Sequence, residues 1–442
     1  MSQIIHLPGE RRPPKESRMP RQIPFRVFDA DTHLYEARDA FTRYLPREYD
    51  GLIRYVEING RTKLAIKNKI SDYIPNPTFD VVAPPGAYEL KYKRENPDSA
   101  TPAANAITMR SDAGGGRRRP PKPGDRPREA LPRSIPSIPA FFEPGPRLEA
   151  MDELGIDKAL LWPTLASVLE ERMVDDPIAT HVLIHAFNEW LAEQWSFNHE
   201  DRIFPAPVLT LPIVDRAIAE LEWVVERGAR VILIRPAPVP DFNGRRRSFA
   251  LPEFDPFWKA VQDADILVGL HGSDSGFQRY LNEYEGRESE YLPFKEGPSA
   301  FSVLVGLEAR PIADVVTSVI GHGLATRFPK LRFLPVENGS SWVPGLLRRF
   351  EKLYSRSPTL FEEDPVVAFK RCVWVHPFPE EDPLRIVELV GIDNVCFGSD
   401  YPHPEGMFDP LTYTDEIESL PTADQAKIMG GNLAGIMRVA AW

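Results

Sequence analysis

Cysteine is nearly missing from this chain. Its 442 residues hold two, Cys372 and Cys396, each inside an apolar run ("RCVWVHP", "NVCFGSD"). That excludes a disulfide framework and predicts reduced core thiols. No apolar run is long enough to span a bilayer. The first residues, "MSQIIHLPGERRPPKESRMPRQIP", bring charge and proline but no apolar h-region. The expectation is a cytoplasmic protein with no membrane partner. Positive charge is also short, with 53 Lys and Arg against 64 Asp and Glu. The net charge of −11 argues against a nucleic-acid partner. Neither G-x-G-x-x-G nor G-x-x-x-x-G-K-[ST] occurs, so nothing favours a nucleotide-binding sheet.

What is present is an ordinary globular balance, 42% hydrophobic and 26% charged, enough for a large core. Proline is plentiful at 46 residues and concentrates in two places. Residues 1–24 read as an N-terminal arm, and 25–442 as one domain. About 93–146, rich in Pro, Gly and Arg, reads as an irregular insertion. Its "GGGRRRPP" suits a solvated loop better than a basic partner site.

After Pro146 one theme recurs: an amphipathic segment, often a glycine, then a short apolar run. "RLEAMDELGIDKALLWPT" and "AIAELEWVVERGARVILIRP" show it. Apolar residues at i, i+3 and i+4 predict helices, and Gly155, Gly228 and Gly391 stand where a helix ends. The continuous apolar runs predict strands buried on both faces. They fall near 25–30, 158–162, 204–209, 231–235, 266–270, 331–336, 371–375 and 395–398. Eight parallel strands with crossover helices close a (β/α)8 TIM barrel; an open doubly wound sheet is the alternative.

Barrel chemistry gathers at the C-terminal strand ends. There the chain places Asp31 and His33 ("FDADTHLYE"), His271 ("LVGLHG"), Glu337 ("FLPVENG"), His376 ("VWVHP") and Asp400 with His403 ("FGSDYPHP"). Four of the nine histidines thus lie at or just past strand ends. Residues i and i+2 of a strand share a side, so Asp31 and His33 can reach one ion. Imidazole with carboxylate suits Zn, Mn or Fe. The competing reading of each is bland. Asp31 could instead orient His33, Glu36 could be a loop carboxylate, and Glu337 a capping one. His376, Trp342 and Tyr401 read as pocket wall, and His322 as a wall residue or a helix cap. His181 and His185 are i, i+4 on one helix but lack a zincin glutamate, so packing is expected. Arg235, ending the fourth strand, is best placed to bind a substrate carboxylate. Arg245 to Arg247 read as surface.

"FDADTHLYE", "AMDELGIDKALLWPT", "LVGLHGS", "RFPKLRFLPVENGSSWVP" and "FGSDYPHPEG" together resemble the amidohydrolase-related metal enzymes of the amidohydrolase-2 type, over about residues 25–90 and 147–437. That family includes the aminocarboxymuconate-semialdehyde and resorcylate decarboxylases. The resemblance implies a distorted (β/α)8 barrel with one divalent metal. It also implies decarboxylation or hydrolysis of small aromatic or unsaturated acids. It places metal ligands at Asp31, His33, His271 and Asp400, the D-x-H pair being similar to the E-x-H of resorcylate decarboxylases. Glu337 stands where many members carry a catalytic histidine, which makes it a general base or a ligand to a second ion.

The first expectation is therefore a metal-dependent hydrolase or decarboxylase of a small carboxylic acid or amide, with Glu337 or His403 moving the proton. The second is a non-haem iron monooxygenase with two Fe ions, because some relatives on this scaffold are iron-dependent oxygenases. The third is a non-catalytic ligand-binding barrel. Family analogy implies a homodimer or homotetramer. The aromatic residues Phe277, Tyr280, Tyr284, Tyr291 and Phe294 read as pocket rim or subunit contact.

Overall fold

The computed structural model describes residues 21–71, 74, 76–95, 133–286, 299–306 and 309–440. The first apolar run forms β1 (Phe28–Leu34), buried along its whole length. The chain then leaves the barrel for an excursion. An antiparallel meander comprises β2 (Ile53–Ile58), β3 (Arg61–Ile66) and β4 (Lys69–Ser71). Its two tight turns, Asn59–Gly60 and Lys67–Asn68, have positive φ at all four residues, the geometry that matches strand twist in a two-residue hairpin. A short pair follows, β5 (Val81–Val82) with β6 (Ile135–Pro136).

Composition predicts an irregular insertion as far as residue 146, and the structure ends it sooner. Residues 135–146 already hold β6, a 3-10 turn at Pro139–Phe141 and the start of helix Pro144–Leu154. Phe141 explains this, being fully buried edge-on against Tyr35. Residues 1–20 of the arm and 96–132 of the insertion, with "GGGRRRPP", lie outside the described residues.

The remaining barrel strands are β7 (Lys158–Pro163), β8 (Ile203–Pro205) with β9 (Val208–Leu209), β10 (Val231–Ile234), then, beyond a small hairpin of β11 (Val239–Pro240) and β12 (Arg246–Arg247), β13 (Leu267–His271) and β14 (Phe333–Val336). All barrel pairings are parallel. β8 and β9 act as one strand, pairing on one side with β7 and on the other with β10. Pro205 and Pro207 cannot donate, which breaks the ladder between them. Segments 373–375 and 395–397 complete the ring through the bridges Phe333↔Val373 and Val375↔Val395. Ala30 N donating to Phe397 O (3.0 Å) and His33 N donating to Tyr401 O (2.7 Å) then return it to β1. This is the expected barrel, closed and distorted. The seventh strand starts later than its apolar run, because helix Pro365–Cys372 takes the first two of those residues.

The helices start where the chain says Asp-Pro. Asp176, Asp364 and Asp382 each accept a backbone N–H of the first turn, with proline at the first helical position. Gly155 ends helix Pro144–Leu154 at φ 75°, a conformation that costs other residues about 1 kcal/mol. Inside the ring Trp162 fills the centre, its indole N–H donating to Ala30 O at 2.9 Å. Gly269 makes room for it, since a Cβ there would collide with the Trp162 ring. Cys372 and Cys396 are free and buried, and burial pushes both thiols up to about 12. No helix among the described residues is long and apolar enough to cross a membrane.

Candidate metal centre

β1 carries the centre. A bulge between Asp29 and Thr32 shifts its register against β7, the kind of irregularity that re-aims side chains. Asp29 secures the strand from below: its Oδ1 accepts from Asp31 N (3.0 Å) and Ser399 N (2.9 Å), tying the first strand to the eighth. Burial pushes Asp29 up to about 7. Arg147 secures it from the side. Its Nε donates to Ala140 O (2.7 Å), its Nη2 donates to His33 O, and its guanidinium lies 5.0 Å over the Tyr401 ring.

His33 Nε2 is the hub. Around it stand His271 Nε2 at 3.1 Å, Asp31 Oδ1 at 3.4 Å, Asp400 Oδ1 at 3.5 Å and Glu337 Oε2 at 3.7 Å. His271 Nε2 is also 3.5 Å from Asp31 Oδ1 and 3.3 Å from Glu337 Oε2. Ligands bound to one ion at about 2.1 Å stand roughly 3.0–3.4 Å from one another. Asp31, His33 and His271 come close to that spacing and form one group whose ligand atoms all lie within 4.8 Å, while Glu337 and Asp400, slightly farther out, group with His33 and His403.

Hydrogen bonding decides the tautomers. His271 Nδ1 faces Gly272 O at 2.8 Å, so it carries the proton and Nε2 carries the lone pair. The Thr164 hydroxyl donates to Leu34 O at 2.8 Å. It can then only accept at its other neighbours, His33 Nδ1 (3.5 Å) and His403 Nε2 (3.3 Å). Both Nε2 atoms thus aim lone pairs at the same point. Both oxygens of Asp31, fully buried, lack a hydrogen-bond partner among the described residues. Two imidazole nitrogens converging with the carboxylates of Asp31, Asp400 and Glu337 are a donor set that fits a cation. Beside them a cavity of about 20 Å³, lined by Asp31, His376 and Asp400, has room for a water or an ion.

Burial works to raise Asp31, but His271 and His33 beside it hold it well below the usual carboxylate range. Burial, with the charge of His403, pushes His33 well down, towards the neutral ring that a metal needs. His271 and His403 run the other way: burial opposes the charge of both, yet Asp31 and Glu337 raise His271, and the Asp400 carboxylate, 2.8 Å from the His403 Nδ1, raises His403 to about 9. Its ring stacks on His33 at 3.9 Å.

A family model described as Amidohydrolase matches residues 136–434. The chain belongs to the amidohydrolase family. An amidohydrolase of Mycobacterium avium subsp. paratuberculosis K-10 is 33% identical, with 94% of this chain and all of that one aligned at a TM-score of 0.80. Two decarboxylases share the amidohydrolase fold. A 2,6-dihydroxybenzoate decarboxylase from Rhizobium is 21% identical over 66% of this chain and 87% of its own, with a TM-score of 0.51. A dihydroxybenzoic acid decarboxylase from Polaromonas sp. JS666, solved with manganese and 2-nitroresorcinol, is 20% identical over 66% and 85%, with a TM-score of 0.50.

Of the residues singled out in the amidohydrolase sequence, the structure brings together Asp31, His33, His271, Glu337, Asp400 and His403. His376 sits closer than a wall residue, its Nδ1 3.7 Å from Asp31 Oδ2. Glu36 is buried and accepts from Leu165 N (2.8 Å) and Ala166 N (2.9 Å), fixing the turn that carries Thr164. Burial pushes it up to about 7.

Others lie elsewhere. His322 is exposed at the C-terminal end of helix Arg310–Gly321, at the opposite face of the barrel from the strand C-termini. Trp342 is buried in the helix layer, its ring 6.2 Å from Phe369 and its N–H donating to Gly339 O. The Tyr401 ring turns to Arg147 and Phe141, not to the centre. Arg235 is already engaged by Glu171 at 3.0 Å. Arg246 is no surface residue either, since it turns in to the same carboxylate. His181 and His185 part ways, His181 Nε2 accepting from Ile213 N and His185 Nδ1 meeting Glu220. Phe277, Tyr280, Tyr284 and Phe301 stack in a row; Tyr291 and Phe294 lie outside the described residues. Thr164, Arg147 and Asp29 escaped the sequence reading. Asp29 alone had a local signal, being the first acid of the strand-end run.

Proposed function

We propose that this amidohydrolase is a metal-dependent decarboxylase or hydrolase of a small aromatic or unsaturated carboxylic acid or amide. The carrying observation is the pair of imidazole lone pairs 3.1 Å apart, ringed by three carboxylates. Asp31, His33, His271 and Asp400 would hold one divalent ion (Zn, Mn or Fe), with Glu337 beside it. The ion supplies Lewis acidity toward a substrate oxygen. The chain supplies the rest. Thr164 and Gly272 O hold the two rings in the ligating tautomer. His403, kept charged by Asp400, holds a proton at neutral pH and can deliver it from the centre's edge. Glu337, the carboxylate at the mouth, can take one. The shared fold with dihydroxybenzoate decarboxylases makes hydroxybenzoates the first compounds to screen.

The test is elemental analysis of purified protein with His33→Ala and His271→Ala alongside, coupled to a carbon dioxide release screen. One equivalent of metal, lost in both variants, is expected. No metal after anaerobic reconstitution would refute the reading. A second reading, an iron monooxygenase, is favoured by one observation: His33, Glu337, Asp400 and His403 form a second group whose ligand atoms all lie within 4.8 Å. Two equivalents of iron, reduced by Glu337→Ala, with activity that consumes oxygen, would select it.

A further inference from the structure

One cluster at the barrel mouth is left over. Glu171, on the short helix Leu169–Arg172, is held by three guanidinium groups. Arg235 Nη1 donates to Oε2 (3.0 Å), and Arg246 donates to both oxygens (2.9 and 3.0 Å). Arg279 donates to Oε1. Arg172 pairs with Asp274 (2.8 Å) alongside, and Glu170 accepts from Thr210 Oγ1 (2.6 Å). Three guanidiniums thus converge on the single Glu171 carboxylate. Arg235 has a side chain 6% exposed, and its Nη2 is buried without a hydrogen-bond partner among the described residues.

The cluster's position ties it to the centre. β10 and β13 pair Leu233 with Gly269. Carried two residues further, just past the end of β10 at Ile234, that register sets Arg235 beside His271, with adjacent strands about 5 Å apart. The loop after His271 folds onto the cluster: Asp274 binds Arg172, and Gly276 lies so close that a Cβ there would meet Arg279 and Glu171. Beside Arg235 and Glu170 lies a cavity of about 20 Å³, room for one water.

We propose that Arg235, Arg246 and Arg279 form a second anion subsite, in which Glu171 stands in for an acidic group of the substrate. The substrate is then a diacid, one acidic group going to the metal centre and the other displacing Glu171. This rests on the metal-centre reading.

The test is calorimetric titration of the manganese-loaded protein with isophthalate, terephthalate and benzoate, and separately with inorganic sulfate. A charge-assisted hydrogen bond predicts at least one dicarboxylate binding ~10-fold or more tighter than benzoate. Arg279→Gln should reduce that preference at least ~5-fold while metal content and benzoate affinity hold. Glu171→Gln, which removes the competing charge, should tighten dicarboxylate binding. Arg279 is partly exposed, so its variant tests the proposal even if Glu171→Gln fails to fold. Equal binding of all three acids by wild type and Arg279→Gln, at full metal content, overturns the proposal. So does sulfate binding without a dicarboxylate preference, which would mark an effector site. A chain that takes up no metal overturns the metal-centre reading instead. The cluster is then judged by sulfate alone: binding abolished by Arg279→Gln supports an anion subsite, and no binding overturns it.

Discussion

Thr164→Val tests the tautomer argument directly. Valine keeps the shape and removes one hydroxyl. That hydroxyl donates to Leu34 O at 2.8 Å and receives His33 Nδ1 at 3.5 Å. Loss of such an outer partner of a ligating histidine typically weakens metal binding 10- to 100-fold. The His33 contact is long, so the effect belongs at the low end, ~10-fold or about 1.4 kcal/mol. A separate cost falls on folding. The Leu34 carbonyl loses its side-chain donor inside the protein, worth about 1–3 kcal/mol. Thr164→Ser keeps the hydroxyl and should stay within a few-fold of wild type in both. Manganese affinity by chelator competition and urea unfolding of the metal-free protein separate the two effects. If Thr164→Val binds manganese as tightly as wild type while losing stability, Thr164 serves only the Leu34 carbonyl and the tautomer assignment fails.

Three other outcomes follow from the geometry. Burial pushes His181 down to about 4, so the unfolded chain takes up that proton first and stability is lost as pH falls from 6.5 towards 4; at pH 5 the loss is about 2 kcal/mol, and His181→Gln should remove it from the pH 7 versus pH 5 difference in urea midpoints. Gly269→Ala should destabilise by ~1–3 kcal/mol or more through collision with Trp162, and Trp162→Phe in the same chain should recover part of it in thermal melts. Removing metal with a chelator should lower the melting temperature, since ligand at a hundred times its Kd adds about 2.7 kcal/mol; Asp31→Asn should abolish that shift, and an unchanged melt in wild type would count against the centre.

The strand-end residues were legible because their pattern is local. Asp31 and His33 sit two apart on a strand, and a buried parallel strand advertises itself as a continuous apolar run. The small meander had a local signal too: "EINGRT" contains the Asn-Gly hairpin pair, which the sequence reading passed over. The partners that make the site work had no such signal. Thr164 stands 131 residues from His33, and Arg147 114 residues from the carbonyl it holds. Each is an ordinary residue in its own segment, a threonine after a strand and an arginine opening a helix. Arg235 illustrates the converse. Its strand-end position was readable, but Glu171, its partner across 64 residues, decides what it does in the folded chain. Trp342, Tyr401 and His322 lie turned away from the centre for a related reason. Proximity in sequence to a strand end says nothing of which way a side chain turns.

Glu337 and Asp400 join strain to function. Both have left-handed backbone, φ 54° and 59°, which costs a non-glycine residue of order 1–3 kcal/mol. Neither position can shed the strain through glycine and keep its carboxylate. Both turns are also crowded: a Cβ on Gly272 would strike Glu337 O, and one on Gly406 would strike Asp400 O. The strand ends are thus bent sharply enough to aim acids across the barrel axis at His33. Those acids repel one another, and burial pushes Asp400 well above its ordinary range with Glu337 adding to it. Bent backbone, crowded glycines and massed carboxylates are each unfavourable alone. A cation at the hub is the one addition that turns the last of them into stabilisation, so the fold's local costs and the metal centre are best understood as a single arrangement.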